Sequence, residues 1–167
     1  MLIKNKKGSE KLLSAWWFFV LAIIVIGITA GVFIFYNKDI DVREIEAMTL
    51  NNKLKNCLIS GGVLVNGFFE EDFDIFNECN LKKQVIESGD FYLKINVLND
   101  KEEVVKKMQA GKITFDKDCE ISKSIEAEEF PKCVESKENV IYLQNGKQSL
   151  GEIYVLAASN QKTRKIS

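Results

Sequence analysis

The chain has 167 residues, 46% of them hydrophobic, with 23 Lys and Arg against 24 Asp and Glu, four cysteines and no histidine. The missing histidine excludes Ser-His and Cys-His nucleophilic dyads and every His-ligated metal site, which removes most small hydrolases. The near balance of charge conceals an asymmetry: residues 1–15 carry +3, whereas residues 37–167 hold 19 basic and 23 acidic side chains, for −4. Nucleic-acid binding needs a dense basic face, so this mildly acidic bulk, with its Lys scattered singly, argues against it.

The basic leader, residues 1–15, contains Lys4, Lys6, Lys7 and Lys11, and the uncharged run from Ser14 to Tyr36 follows. As a helix, residues 16–36 reach about 31 Å against about 30 Å of bilayer hydrocarbon, so one transmembrane helix is expected there. A cleaved signal has an apolar core of roughly 7 to 15 residues, shorter than this run. Trp16, Trp17 and Tyr36 suit the two headgroup regions. Lys-rich short flanks stay cytoplasmic, which puts residues 37–167 outside the cytoplasm of a single-pass protein in the cell membrane. Within the span, Gly27 and Gly31 form a G-x-x-x-G pattern that lets helix backbones approach and favours self-association.

Beyond the span, Asp41-Val-Arg-Glu44 has the form of a capping box, opening a helix at about 42–58. Its stripe of Ala47, Leu50, Leu54, Cys57 and Leu58 should pack on the outer domain, with Arg43 largely elsewhere, and Gly61-Gly62 should end it. Asn66-Gly67 reads as a tight turn between short apolar runs. Residues 72–79 read as a short acidic helix turning Phe73 and Phe76 inward. In residues 91–97, Phe91, Leu93, Ile95 and Val97 alternate with Tyr92, Lys94 and Asn96, a strand with one buried and one wet face. Asp100-Lys-Glu-Glu103 and the pairs Glu102–Lys106 and Glu103–Lys107 predict a helix over 101–110, with a brief strand at 112–115. Asn145-Gly146 between residues 140–144 and 147–157 is the strongest hairpin signal. The domain at 37–167 is therefore α+β with an antiparallel sheet and short helices.

The cysteines are spaced C-x21-C-x39-C-x13-C, without the close C-x2-C pair of a zinc site. Outside the cytoplasm an even count favours disulfides. Of three connectivities, pairing of neighbours is expected, Cys57 with Cys79 and Cys119 with Cys133; four buried thiols are the alternative.

No motif fixes a reaction, a cofactor or a metal. Ser159-Asn-Gln-Lys162 matches a bare S-x-x-K pattern but lacks its companion elements. Asp116, Asp118 and Glu120 are spaced like calcium ligands, yet Ile121 occupies the glycine position of such a loop and Ala127 the bidentate glutamate position. Glu70, Glu71, Asp72 and Asp74 read as a solvated helix start, where negative charge meets the helix dipole.

The leader ending in Lys7-Gly8, the long apolar helix, the helical continuation and the small disulfide-bearing sheet domain together resemble the layout of type IV pilin-like and pseudopilin proteins. That resemblance implies cleavage after Gly8, a mature chain starting at Ser9, and packing of the apolar helix into a filament. The family's glutamate at the fifth mature position would fall at Leu13; this chain has its glutamate at the second mature position, Glu10. The residues thus point to a non-enzymatic, membrane-anchored interaction or structural protein whose partners are the bilayer and an envelope or protein component. Two alternatives are a pilin-like subunit and a tethered enzyme working with carboxylates alone.

Overall fold

A computed structural model describes residues 6–37, 41–125, 129–144 and 146–161, with side chains of the N-terminal helix described over 16–33. The chain divides into two compact units, Met1–Ile40 and Asp41–Ser167.

The first unit is the helix α1, Lys6–Asn37. Its window Trp16–Phe33 is long and apolar enough to cross a membrane. Large side chains around its whole circumference are exposed, among them Phe18, Ile24, Ile26 and Phe33. A helix apolar on all sides has no polar face to turn to water.

The second unit is α+β. Helix α2, Arg43–Leu58, leads into the two-residue strands β1, Ile59–Ser60, and β2, Val63–Leu64. Short helices α3, Ile75–Glu78, and α4, Lys83–Ile86, come before strands β3, Phe91–Asn99, and β4, Val104–Gly111. Helix α5, Phe115–Ser122, and the long hairpin β5, Lys132–Gln144, with β6, Lys147–Ser159, complete it. The six strands form one sheet in the order β1-β2-β5-β6-β3-β4, antiparallel except where β2 meets β5 at Val63 and Ile141.

The main core lies between α2 and one face of the sheet. Leu50, Leu54 and Leu58 pack with Leu93, Ile95, Val97, Val140, Ile153 and Val155, closed at one end by Phe68, Ile75 and Ile86. Each fully buried aliphatic side chain stabilises this core by about 2 kcal/mol. The α2 stripe follows the expected spacing, as does the hairpin, which extends in both directions beyond the predicted residues. Gly61 and Gly62, both at positive φ, form the turn between β1 and β2 and do not end the helix as expected: α2 stops at Leu58, with extended Ile59 as its C-cap and β1 before the glycines.

Four further expectations are corrected. Residues 104–111 form β4, paired with β3 from Leu98↔Val104 to Tyr92↔Gly111, in place of a helix over 101–110. The Asn99 carboxamide takes over the turn: its Oδ1 accepts from the main-chain N–H groups of Lys101 and Glu103 at 2.9 and 2.8 Å. A ladder with β3, interrupted by one register shift between Val97 and Leu98, outweighs ion pairs worth a few tenths of a kcal/mol each. Second, residues 112–115 form no strand: Gly111 turns at φ 87°, and Phe115 opens α5. Third, the second face of β3 is not simply wet, because α5 covers Tyr92, which is fully buried with Phe115, Cys119, Leu156 and Ala158. Fourth, Arg43 lies on the buried side of α2, at 7% exposure.

Candidate functional site

Two surface features of the second unit are candidates for function, a cleft at the start of α2 and an exposed apolar row on the sheet.

The cleft, about 400 Å³, is bounded by Glu44 of α2, the disulfide Cys119–Cys133, Lys123 and the chain at Phe130–Lys132. That disulfide (Cα–Cα 5.8 Å) fastens α5 to the first turn of β5, and the other, Cys57–Cys79 (Cα–Cα 5.3 Å), fastens the end of α2 to α3. Both pairs join sequence neighbours, as expected from the spacing.

The cleft's charges are internally compensated. Lys123 Nζ lies 2.6 Å from Glu135 Oε1. Burial pushes the Tyr154 phenol well above its ordinary pKa, and the Glu135 carboxylate beside it, which accepts its hydrogen bond, adds to the effect. Nearby, Lys94 Nζ donates to both oxygens of Asp116 at 2.8 and 3.0 Å. Burial, with the Asp116 charge adding, pushes the Tyr92 phenol up to about 12. Both phenols therefore stay protonated at neutral pH, and the Glu135 and Asp116 carboxylates have cationic partners. Such an arrangement holds the surface together.

Arg43, beside Glu44, is bonded to the cleft wall at Phe130. Its Nη1 donates to Phe130 O and Asn160 Oδ1, each at 3.1 Å, while Nε and Nη2 donate to the two oxygens of Asp41, each at 2.8 Å. Asp41 also accepts from the Arg43 main-chain N–H at 3.1 Å, but the N-cap of α2 is Val42, which makes no side-chain capping bond, so the expected capping box over Asp41–Glu44 does not form.

The apolar row lies on the sheet face away from α2, beyond the reach of α5. The ladder pairs Val63↔Ile141 and Ile141↔Leu150 set three aliphatic side chains side by side, with Leu143 two residues on. Their exposures run from 38% at Ile141 to 69% at Leu150. Contiguous exposed aliphatic side chains favour contact with another surface.

The remaining sequence candidates fall elsewhere. Ser159 is fully buried and its hydroxyl donates to Glu46 Oε2 at 2.6 Å; Lys162 lies outside the described residues. Asp116, Asp118 and Glu120 sit on helix α5 and not on a loop. Asp74 caps α3, accepting from the Phe76 N–H at 2.9 Å, in accord with the helix-start reading of the acidic run. Among the described residues no group of three or more Cys, Asp or Glu is placed to hold a metal ion. Gly27 and Gly31 share one side of α1, and a Cβ on either would meet nothing within 4 Å. Gly8 and Ser9 lie on the backbone of α1, outside the described side chains.

Sequence reasoning missed Arg43 and Asn51 as buried polar groups. Both fall on the stripe of Ala47, Leu50 and Leu54 at helical spacing, and that periodicity was the available signal.

Compared with known proteins, the chain matches no family model, no curated protein and no solved structure.

Proposed function

We propose that this chain is a single-pass membrane protein, non-enzymatic, whose N-terminus is cytoplasmic and whose α+β unit lies outside, where it contacts a protein or envelope partner. The observation that carries the reading is α1, apolar and uncharged over Trp16–Phe33 with its side chains exposed all round. The Lys-rich flank supports the orientation, and two disulfides in the second unit suit an oxidising compartment. The apolar row of Val63, Ile141, Leu143 and Leu150 is the surface proposed for the partner. Protease added to intact cells should digest residues 41–161; protection of that unit, with digestion only after lysis, contradicts the orientation.

The second reading is a pilin-like or pseudopilin subunit, with α1 as a filament spine. Its support is the succession of an apolar helix, an amphipathic helix packed on a sheet, and a disulfide-bearing antiparallel unit. Mass spectrometry of the mature N-terminus separates the two: a start at Ser9 favours the filament subunit, and an intact Met1–Gly8 leader favours the simple anchor.

A further inference from the structure

We infer that the open edge of β4 binds an extended acidic strand of another protein and adds it to the sheet. The main-chain groups of Lys107 and Gln109 bond the incoming strand, and Lys106 and Lys107 select its charge. β3 separates this edge from the apolar row on β2, β5 and β6, and nothing about it depends on how the chain sits in a membrane.

β4 is the last strand in the order β1-β2-β5-β6-β3-β4 and pairs only with β3. The alternation of an antiparallel ladder decides which of its main-chain groups are left over. The register Tyr92↔Gly111 puts Lys112 opposite Phe91, and the Lys112 N–H donates to Phe91 O at 2.9 Å, so that pair is hydrogen-bonded. Counting in twos from it, Ala110 and Met108 bond back to β3, while Gln109 and Lys107, opposite Lys94 and Asn96, turn their N–H and C=O groups outward. Among the described residues no other group takes them up. The edge closes beyond Gln109, where a Cβ on Gly111 would lie 3.0 Å from Ile86 O. A row of unpaired main-chain groups is a template for one more strand.

Charge selects the occupant. Residues 104–111 include Lys106 and Lys107 and no acidic side chain. Lys107 is exposed and has no ion-pair partner among the described residues, and Lys106 Nζ donates at 3.0 Å to the main-chain oxygen of Glu70, a neutral group. Both charges are left for an incoming strand. Opposite charges across neighbouring strands stabilise the pair, and like charges oppose it.

A second copy of this chain does not meet that requirement. Two β4 strands paired with each other bring the Lys106 and Lys107 of one against those of the other, and Lys on an edge strand is a common guard against such pairing. The other open edge is β5 over residues 132–139, since β2 meets β5 only at Ile141. Its carboxylates are already engaged, Glu135 by Lys123 and Glu138 by Lys55. The anions that suit β4 therefore come from a different chain.

The test adds a blocked peptide of alternating Glu and Val, or its counterpart of alternating Lys and Val, to the full chain in neutral detergent micelles and follows amide hydrogen exchange by NMR. With the Glu peptide at about ten times its Kd, exchange at the Lys107 and Gln109 N–H groups should slow about ten-fold, while the Lys peptide at the same concentration leaves it unchanged. Lys107→Glu, a change at an exposed position, should weaken binding of the Glu peptide about five-fold. No slowing at either amide with the Glu peptide up to about 1 mM overturns the proposal. Equal slowing by the two peptides overturns the acidic partner. Slowing that grows with protein concentration in the absence of peptide also overturns it and gives the edge to a second copy.

Discussion

Asn51 Nδ2 donates to the main-chain carbonyl oxygen of Val155 at 3.0 Å, from the buried side of α2 into the middle of β6. The same carboxamide donates to Val134 O at 3.2 Å and accepts from Ser136 Oγ at 2.8 Å, so one side chain ties α2 to two neighbouring strands. Asn51→Leu preserves bulk but leaves the Ser136 hydroxyl without this partner. The expected loss is about 2 kcal/mol in urea denaturation, at unchanged slope. A loss below about 0.5 kcal/mol would mean that the three bonds add nothing beyond what solvent supplies.

Asp41 and Arg43 make the acid end of the stability profile. The Arg43 side chain, hydrogen-bonded to the Asp41 carboxylate, lowers its pKa from 3.8 to about 2. A carboxyl depressed in the folded state contributes stability that is complete above its unfolded pKa and disappears as pH falls through the folded value. The Asp41 side chain is 42% exposed, so solvent screening keeps the gain small. Asp41→Asn should be less stable than the parent near neutral pH, with the difference closing between about pH 4 and about pH 2. A gap that persists below that range would exclude the ion pair as its source.

The two disulfides close loops of 22 and 14 residues, and each should contribute about 3 kcal/mol by restricting the unfolded chain. The double substitutions Cys57→Ala/Cys79→Ala and Cys119→Ala/Cys133→Ala test them separately. The second should have a signature the first lacks: with α5 released from β5, water reaches Tyr92 and its pKa drops from about 12 toward 10.0. Ultraviolet titration of the phenols reads this directly. An unaltered high-pH phenol in that variant would show that α5 stays in place without its staple.

Tyr92 is fully buried, and its hydroxyl has no hydrogen-bond partner among the described residues. Removing an unsatisfied buried hydroxyl relieves its desolvation cost, so Tyr92→Phe should raise stability by about 1 kcal/mol. A comparable loss on thermal or urea unfolding would reveal a bonded hydroxyl in solution.

Gly151 is required by close packing and not by an unusual backbone angle. A Cβ there would lie 2.1 Å from Leu98 O and 2.8 Å from Tyr142 Cε1. Gly151→Ala must force β6 away from β3, at an expected cost of about 3 kcal/mol. Its neighbour Leu150, 69% exposed, offers the contrast: Leu150→Ala should change stability by less than about 0.5 kcal/mol while weakening capture of a partner by the apolar row.

Legibility differed by element for physical reasons. The hairpin around Asn145-Gly146 and the α2 stripe were readable because turn chemistry and a 3.6-residue period act over a few neighbouring residues. The segment 101–110 misled because its charges support a helix locally, while its hydrogen bonds go to β3, a partner that no local pattern names. Of the candidate site, the cysteines were legible and the cleft was not. Its walls come from Glu44, Lys123 and Phe130, brought together by the Arg43 bonds and the Cys119–Cys133 link.

By itself the sequence determined an apolar segment long enough to span a bilayer, the sign of charge on either side of it and an even set of cysteines able to pair. All three depend on composition and on distance along the chain. Only the tertiary structure decided that residues 104–111 are a strand, that Tyr92 lies dry beneath α5, and that Arg43 draws together Asp41, Phe130 and Asn160. Each of these depends on which distant group occupies the other side of a hydrogen bond or a buried surface, and that partner is chosen when the sheet closes, not by the residues nearby.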